Sequence, residues 1–145
     1  MYPELMIIPM REELTRLGIE ELRSAQEVEQ VLGQRQGTVM VVVNSVCGCA
    51  AGRMRPAVRI AMEHPVRPEK VVSVFAGQDR EATEQARRHF AEYPPSSPSI
   101  GLLRDGELVF MMQRMDIENR EAEDIAADLT AAFDRICAKA PAAKS

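Results

Sequence analysis

Apolar side chains follow two rhythms along this chain: short unbroken runs, and stripes that recur every three or four residues. TVMVVVN (38–44) and KVVSVFA (70–76) are the unbroken runs. Their β-branched interiors suit strands covered on both faces. The striped segments lie around them. PMREELTRL (9–17) opens with a proline suited to a first helical turn and spaces Met10, Leu14 and Leu17 along one face before Gly18 interrupts. In SAQEVEQVLG, Ser24 precedes Glu27 by the spacing of a capping box, Val28, Val31 and Leu32 share a side, and Gly33 is placed to end the helix.

From Ala50 to Met62 the stripe is Met54, Val58, Ala61 and Met62. Pro56 lies inside it and predicts a bend or a loosened turn, unless the helix starts just before it. After EHPVRPE and the second run, Asp79 begins a helix in which Ala82, Ala86 and Phe90 recur every four residues. YPPSSPS (93–99) reads as a loop. SIGLLRDGELVFMMQR reads as two strands joined around Asp105-Gly106, a dipeptide favoured in tight hairpins. A last helix, about Asn119 to Cys137, buries Ile125, Leu129, Phe133 and Ile136, and residues 139–145 are expected to form a flexible tail. The order is helix, helix, strand, helix, strand, helix, hairpin, helix. It predicts one α/β domain over 1–145: a mixed central sheet flanked by helices, with an N-terminal helical extension.

Composition narrows the function classes. The 145 residues are 46% hydrophobic and 28% charged, the balance of an ordinary globular protein. Eighteen basic and 22 acidic side chains, interspersed, give a formal charge of −4, which argues against a nucleic-acid partner. No window offers the roughly 20 apolar residues of a membrane span, and the opening lacks the basic region of a signal peptide. A cytoplasmic location without membrane association is therefore expected. Three cysteines in that compartment speak against a structural disulfide framework.

Chemistry concentrates at NSVCGCAAG (44–52). Cys47 falls in the turn leaving the first strand and Cys49 at the start of the next helix. Free backbone N–H groups and the positive helix end stabilise a thiolate there, lowering a cysteine pKa from its usual value of about 8.5. Arg53 and Arg55 add favourable charge if their side chains fold back. Gly48 leaves no side chain between the sulfurs and tolerates the backbone angles of a short ring. A disulfide between residues two apart is expected to be strained and labile, a bond made and broken in turnover. Asn44 and Ser45 can hydrogen-bond the motif's backbone or serve as ordinary turn formers. Pro98, flanked by Ser97 and Ser99, becomes a candidate cis proline facing the dithiol only within a thioredoxin-like topology.

Other readings stand beside this one. The cysteine pair could be buried structural residues, or part of a metal or iron-sulfur site. Beyond Cys47 and Cys49, however, only Cys137, His64, His89 and the acids remain as ligands, none at a familiar finger spacing, so no metal site is assigned. Cys137 reads as a small packing residue on the last helix. His64 lies just past a helix, and His89 falls on the surface side of its own. Met111, Met112 and Met115 crowd one region and either fill the core or form a soft recognition surface.

Four stretches, YPELMIIPMREELTRLGIEELRSAQEV, VVVNSVCGCAAGRMRPA, VSVFAGQDREATEQAR and PPSSPSIGLLRDGELVFMMQR, together closely resemble the bacilliredoxins, small bacterial proteins with a Cys-Gly-Cys motif. The likeness covers nearly the whole chain. It implies a thioredoxin-like fold and an enzyme of thiol-disulfide exchange that takes bacillithiol off proteins. It makes Cys47 the attacking thiol, Cys49 the candidate resolving thiol and Pro98 the proline that faces them, with Gly48 between. Asn44, Ser45, Arg53, Arg55 and Ser97 are the expected substrate contacts. No bound cofactor is implied; bacillithiol acts as co-substrate, the partners are bacillithiolated or disulfide-bearing proteins, and the chain is a monomer or weak homodimer. The alternatives kept open are a protein disulfide isomerase or general oxidoreductase, and a metal or iron-sulfur accessory protein.

Overall fold

The computed structural model describes residues 1–138, and the expected tail at 139–145 lies outside them. At its centre is strand β2, Thr38–Asn44, with all seven residues buried. Alternate side chains of β2 serve two separate cores. Met40 and Val42 join one face, and Val39, Val41 and Val43 the other. Such two-sided burial is what an unbroken apolar run requires.

The sheet has five strands in the order β1-β3-β2-β4-β5. Strands β1 (Glu20–Glu21) and β2 both pair parallel with β3 (Lys70–Phe75). On the other side β4 (Ser99–Arg104) runs antiparallel to β2, and β5 (Glu107–Met112) antiparallel to β4. Asp105 and Gly106, with φ of 51° and 86°, turn this hairpin. The Asp105 carboxylate accepts the Gly37 N–H at 2.9 Å, tying the turn to the start of β2. Helices α1 (Glu4–Thr15), α3 (Arg55–Ala61) and α5 (Ala122–Ile136) cover one face, and α2 (Ala25–Leu32) and α4 (Arg80–Arg87) the other.

Several boundaries differ from the sequence reading. Helix α1 begins at Glu4, so Pro9 lies inside it instead of opening it. The hydrogen bond that Pro9 cannot donate would reach the carbonyl of Leu5, a strongly exposed first-turn residue. The buried residues of α1 are Ile7, Arg11 and Leu14; of the expected stripe only Leu14 is among them, with Met10 half-buried and Leu17 half-buried just beyond the helix. Arg11 is only 5% exposed; it stacks over the Phe75 ring at 5.3 Å and pairs with Glu4, Glu21 and Asp79 at 2.9, 2.7 and 2.6 Å. Asp79 therefore holds Arg11 instead of capping α4 with its side chain. Helix α5 starts at Ala122, three residues after the expected start.

The segment from Ala50 resolves the question posed by Pro56. A π-helical turn, Ala50–Met54, precedes α3, and Pro56 occupies the first turn of that α-helix. The Arg55 N–H bonds the Ala50 carbonyl, five residues back. The wider turn sits just ahead of the residue that has no N–H to give.

Candidate active site

Strand β2 ends at Asn44, and the chain turns into a helix within five residues. The Cys47 carbonyl accepts the N–H groups of Ala50 and Ala51 at 3.0 and 3.2 Å, so Cys47 caps the helical run and Cys49 lies inside its first turn. All three cysteines are free thiols. Burial opposes a charge on Cys47. Hydrogen bonds from the Ser45 hydroxyl, the Ala50 and Cys49 N–H groups and the Cys49 thiol outweigh it and bring the Cys47 pKa below the ordinary thiol value. Cys49 moves the opposite way: burial, and then the neighbouring Cys47 charge, push its pKa up. The two thiols, two residues apart, are thus tuned in opposite directions, Cys47 toward thiolate and Cys49 toward thiol.

The turn is held from below. Asn44 Oδ1 accepts the Ser45 N–H at 2.9 Å and Arg55 Nη1 at 2.9 Å, while Asn44 Nδ2 donates to the Met10 carbonyl of α1. Arg55 also donates to the Ser45 carbonyl at 2.9 Å and pairs with Glu13 at 3.0 Å. At 2% exposure, Arg55 is a buried strut beneath the motif and does not fold over the sulfurs. Arg53 is likewise directed elsewhere, donating to the Arg120 carbonyl. Both guanidinium groups are committed to protein oxygen acceptors and not to the sulfurs. The cation the two sulfurs do sense is Arg114, which pairs with Glu118 at 3.0 Å and whose pKa is raised by Glu118 and then by both cysteines.

Gly48 is exposed with a helical backbone, and a Cβ there would meet nothing within 4 Å. In this free-thiol state it neither clears a path between sulfurs nor adopts an angle denied to other residues. The Ser97–Pro98 peptide is cis and Pro98 is buried. Because Val43 pairs with Ser99, the Ser97–Pro98 segment passes the end of β2 where the cysteine turn begins. Ser97, Ser45 and Cys47 together line an open depression of ≈ 290 Å³. Tyr2, Arg87 and Arg114 also line it. Tyr2 is fixed there by Gln78, which exchanges hydrogen bonds of 2.9 Å with its backbone N–H and carbonyl.

Sequence reasoning missed Arg87, Arg114, Tyr2 and the node that binds two of them, Ser96. The Ser96 carbonyl accepts from Arg87 Nη2 at 3.1 Å and from the Ser99 hydroxyl at 3.0 Å, and its own hydroxyl accepts the Arg114 N–H at 3.3 Å. A signal for Arg114 existed: the Asp105-Gly106 turn fixes the hairpin register, which carries the residues after Met112 beside those before Ile100.

The remaining candidates lie apart. Cys137 ends α5, where burial raises its pKa and a Thr38 hydrogen bond works against that. Thr38 begins β2, so Cys137 is about 20 Å from the motif at the far end of the strand, at 3.3 Å per residue. His64 faces Asp134 at 2.8 Å, and His89 is largely covered against Glu29 at 2.6 Å instead of lying on the surface. Met112 is buried and Met111 half-buried, leaving only Met115 of that trio strongly exposed, at 68%. Among the described residues no three His, Cys, Asp or Glu side chains converge as metal ligands, and no helix is long and apolar enough to cross a membrane.

The overall architecture matches solved thioredoxins. Fasciola hepatica thioredoxin superposes with a TM-score of 0.56 at 18% identity, over 81% of this chain and 99% of that one. Malassezia sympodialis thioredoxin gives 0.56 at 17% identity, over 83% and 91%. With a dithiol at the end of its central strand, the molecule is a thioredoxin-fold protein of thiol-disulfide redox function. Its sequence relatives resolve the class further. A family model described as disulphide isomerase matches residues 2–137. A bacilliredoxin of Koribacter versatilis is 60% identical over 145 residues, all of both chains, and one of Geobacillus kaustophilus is 50% identical over 137 residues, 94% of each. The chain belongs to the bacilliredoxin family.

Proposed function

We propose that this protein removes bacillithiol from proteins to which it is disulfide-linked, with Cys47 as nucleophile and Cys49 as resolving thiol. The observation that carries the reading is the opposite tuning of the two thiols at the helix start: the surroundings of Cys47 favour its thiolate, and those of Cys49 favour its thiol. The Cys47 thiolate attacks the bacillithiol sulfur. The bond to the substrate protein breaks, that protein's cysteine leaves as thiolate and takes a proton from water, and a Cys47–bacillithiol disulfide remains with no net change in oxidation state. Cys49 then gives up its proton to water and attacks Cys47 Sγ, expelling bacillithiol as thiolate, which water reprotonates, and leaving the Cys47–Cys49 disulfide. Alternatively, free bacillithiol attacks the adduct and leaves as bacillithiol disulfide. Asn44, Ser45 and Arg55 hold the turn for the first step.

Incubation of a bacillithiolated protein with the parent chain, Cys47→Ser and Cys49→Ala, followed by intact-mass spectrometry, tests this reading. It requires loss of the modification with the parent, none with Cys47→Ser, and, with Cys49→Ala, a Cys47–bacillithiol adduct that accumulates until free thiol is added. Release by Cys47→Ser at the parental rate would refute it. The description of the matching family model favours a second reading, isomerisation of protein disulfides. Faster turnover of a scrambled-disulfide substrate than of a bacillithiolated or glutathionylated one would select it.

A further inference from the structure

The chemistry proposed for Cys47 uses one wall of the depression and leaves another without a role. That second wall is basic: Arg87 and Arg114 line it, and among the described residues no acidic side chain does. Ser96 ties the Arg87 guanidinium and the Arg114 backbone N–H to the loop that carries the cis proline. Arg87 spends Nη2 on the Ser96 carbonyl, while its Nε is buried with no protein acceptor. That Nε lies out of a ligand's reach, so Nη1, which makes no protein hydrogen bond among the described residues, is what Arg87 offers an acceptor, and a carboxylate is the acceptor a guanidinium matches best. Arg114 pairs with Glu118 through Nε, which leaves its remaining donors unspent in the lining of the depression that holds Cys47. The volume, ≈ 290 Å³, is at the small end of ligand pockets, which run from about 300 Å³ upward, and so suits a small adduct.

We propose that Arg87 and Arg114 form an anion subsite beside Cys47 that takes a carboxylate of the small thiol, so that the protein selects mixed disulfides whose low-molecular-weight half is negatively charged. The inference rests on the exchange reading above and specifies the chemical class of adduct. In the step concerned, the Cys47 thiolate forms a bond to the sulfur of the carboxylate-bearing half, the old S–S bond breaks, and the other half leaves as thiolate and is protonated by water. The arginines hold the carboxylate and exchange no proton.

Three small symmetrical disulfides separate charge from reactivity: dithiodipropionate (anionic), bis(2-hydroxyethyl) disulfide (neutral) and cystamine (cationic). The rate of adduct formation on the full chain is followed by mass spectrometry, each probe normalised to its rate with free dithiothreitol, a neutral thiol distinct from all three. The parent is expected to react in the order anionic, neutral, cationic. Arg87→Met and Arg114→Met should each lower the anionic-to-neutral ratio about tenfold, the scale of one charge-assisted contact. Because Arg114 also influences the thiolate, the ratio is read and not the absolute rate. Arg114→Glu, at an exposed position, should invert the order and carries the test if the Arg87 variant does not fold. Equal normalised rates in the parent, or ratios unmoved by substitution at both positions, overturn the subsite while leaving exchange at Cys47 intact. Failure of the parent to react with any of the three overturns both.

Discussion

Replacing Ser45 with Ala isolates one of the groups that ionise Cys47. The loop itself should stay in place, because the Ser45 N–H is held by Asn44 and its carbonyl by Arg55, both at 2.9 Å. What is lost is the hydroxyl that accepts the Cys47 N–H at 3.4 Å and stabilises the Cys47 thiolate. A hydrogen bond to a charged group contributes about 1.5–3 kcal/mol. Three other donors to the sulfur remain, the Ala50 and Cys49 N–H groups and the Cys49 thiol, so the low end applies. That is a factor of about ten in the ionisation equilibrium. At a pH below the titration midpoint the thiolate population therefore falls about tenfold. The surviving thiolate is more basic and, with a Brønsted coefficient of about 0.4–0.5, about threefold more nucleophilic. The net loss of rate is then about threefold at low pH, with a gain of about threefold once both proteins are fully ionised. The rate profiles of iodoacetamide alkylation, measured from pH 5 to 10 on parent and variant, must cross. Parallel profiles, or an unmoved midpoint, would refute the assignment of Ser45 as a thiolate donor.

The same shifts order the three thiols. Cys47, lowered, should alkylate first as pH rises toward the ordinary thiol value of about 8.5, whereas Cys49 and Cys137, both raised, should be labelled only above it; peptide mapping after brief labelling at neutral pH checks the order, and early labelling of Cys137 would contradict it. Arg11→Met leaves the Glu21 and Asp79 carboxylates, 13% and 10% exposed, without their cation. Breaking such a buried pair costs about 3–5 kcal/mol, readable as a lower urea midpoint. The deficit should shrink as pH falls, because Glu4, whose pKa the Arg11 hydrogen bond lowers, stabilises the parent only above the ordinary carboxylate range and loses that contribution on protonation. Gly48→Ala should leave the reduced protein equally stable or up to about 1 kcal/mol more so, since the backbone there is helical and the added Cβ meets nothing. A lowered urea midpoint for reduced Gly48→Ala would count against that geometry.

Strands β2 and β3, the Asp105-Gly106 turn and the Ser24 cap were legible because each has a local cause. β-branched runs, two residues at positive φ and a side chain reaching the Glu27 N–H at 3.1 Å declare themselves without the rest of the fold. What the sequence hid depends on long-range partners. Strand β1 is two glutamates with no periodicity, and it is a strand only because β3 offers an edge. Arg11 reads as solvent-facing until Glu4, Glu21 and Asp79, from three different elements, are brought around it. Pro9 reads as a helix start because the local rule for proline is right on average, and here the helix absorbs it after its first turn.

The same distinction explains why the arginines nearest the cysteines in sequence are not those nearest the chemistry. Arg53 and Arg55 lie on a helical run that leads away from the motif, rising about 1.5 Å per residue, and their side chains are committed to the Arg120 carbonyl and to Asn44, Ser45 and Glu13. The charge beside Cys47 is set instead by strand direction. Strands β2, β3 and β5 all point the same way and β4 the opposite way. The residues after Asn44, after Phe75 and after Met112, and those before Ser99, must therefore meet at one end of the sheet. Those four segments supply Cys47, Gly77, Arg114 and Ser97 to a single depression. Ligands of open α/β sheets gather at the carboxyl ends of parallel strands for this reason. With the hairpin register known, Arg114 follows from topology alone, whereas Arg87 becomes visible only through its bond to the Ser96 carbonyl. Substitutions that change specificity without changing thiol ionisation should accordingly cluster at Arg87 and Ser96, which reach the depression through the proline loop, and not along the helix that carries Arg53 and Arg55.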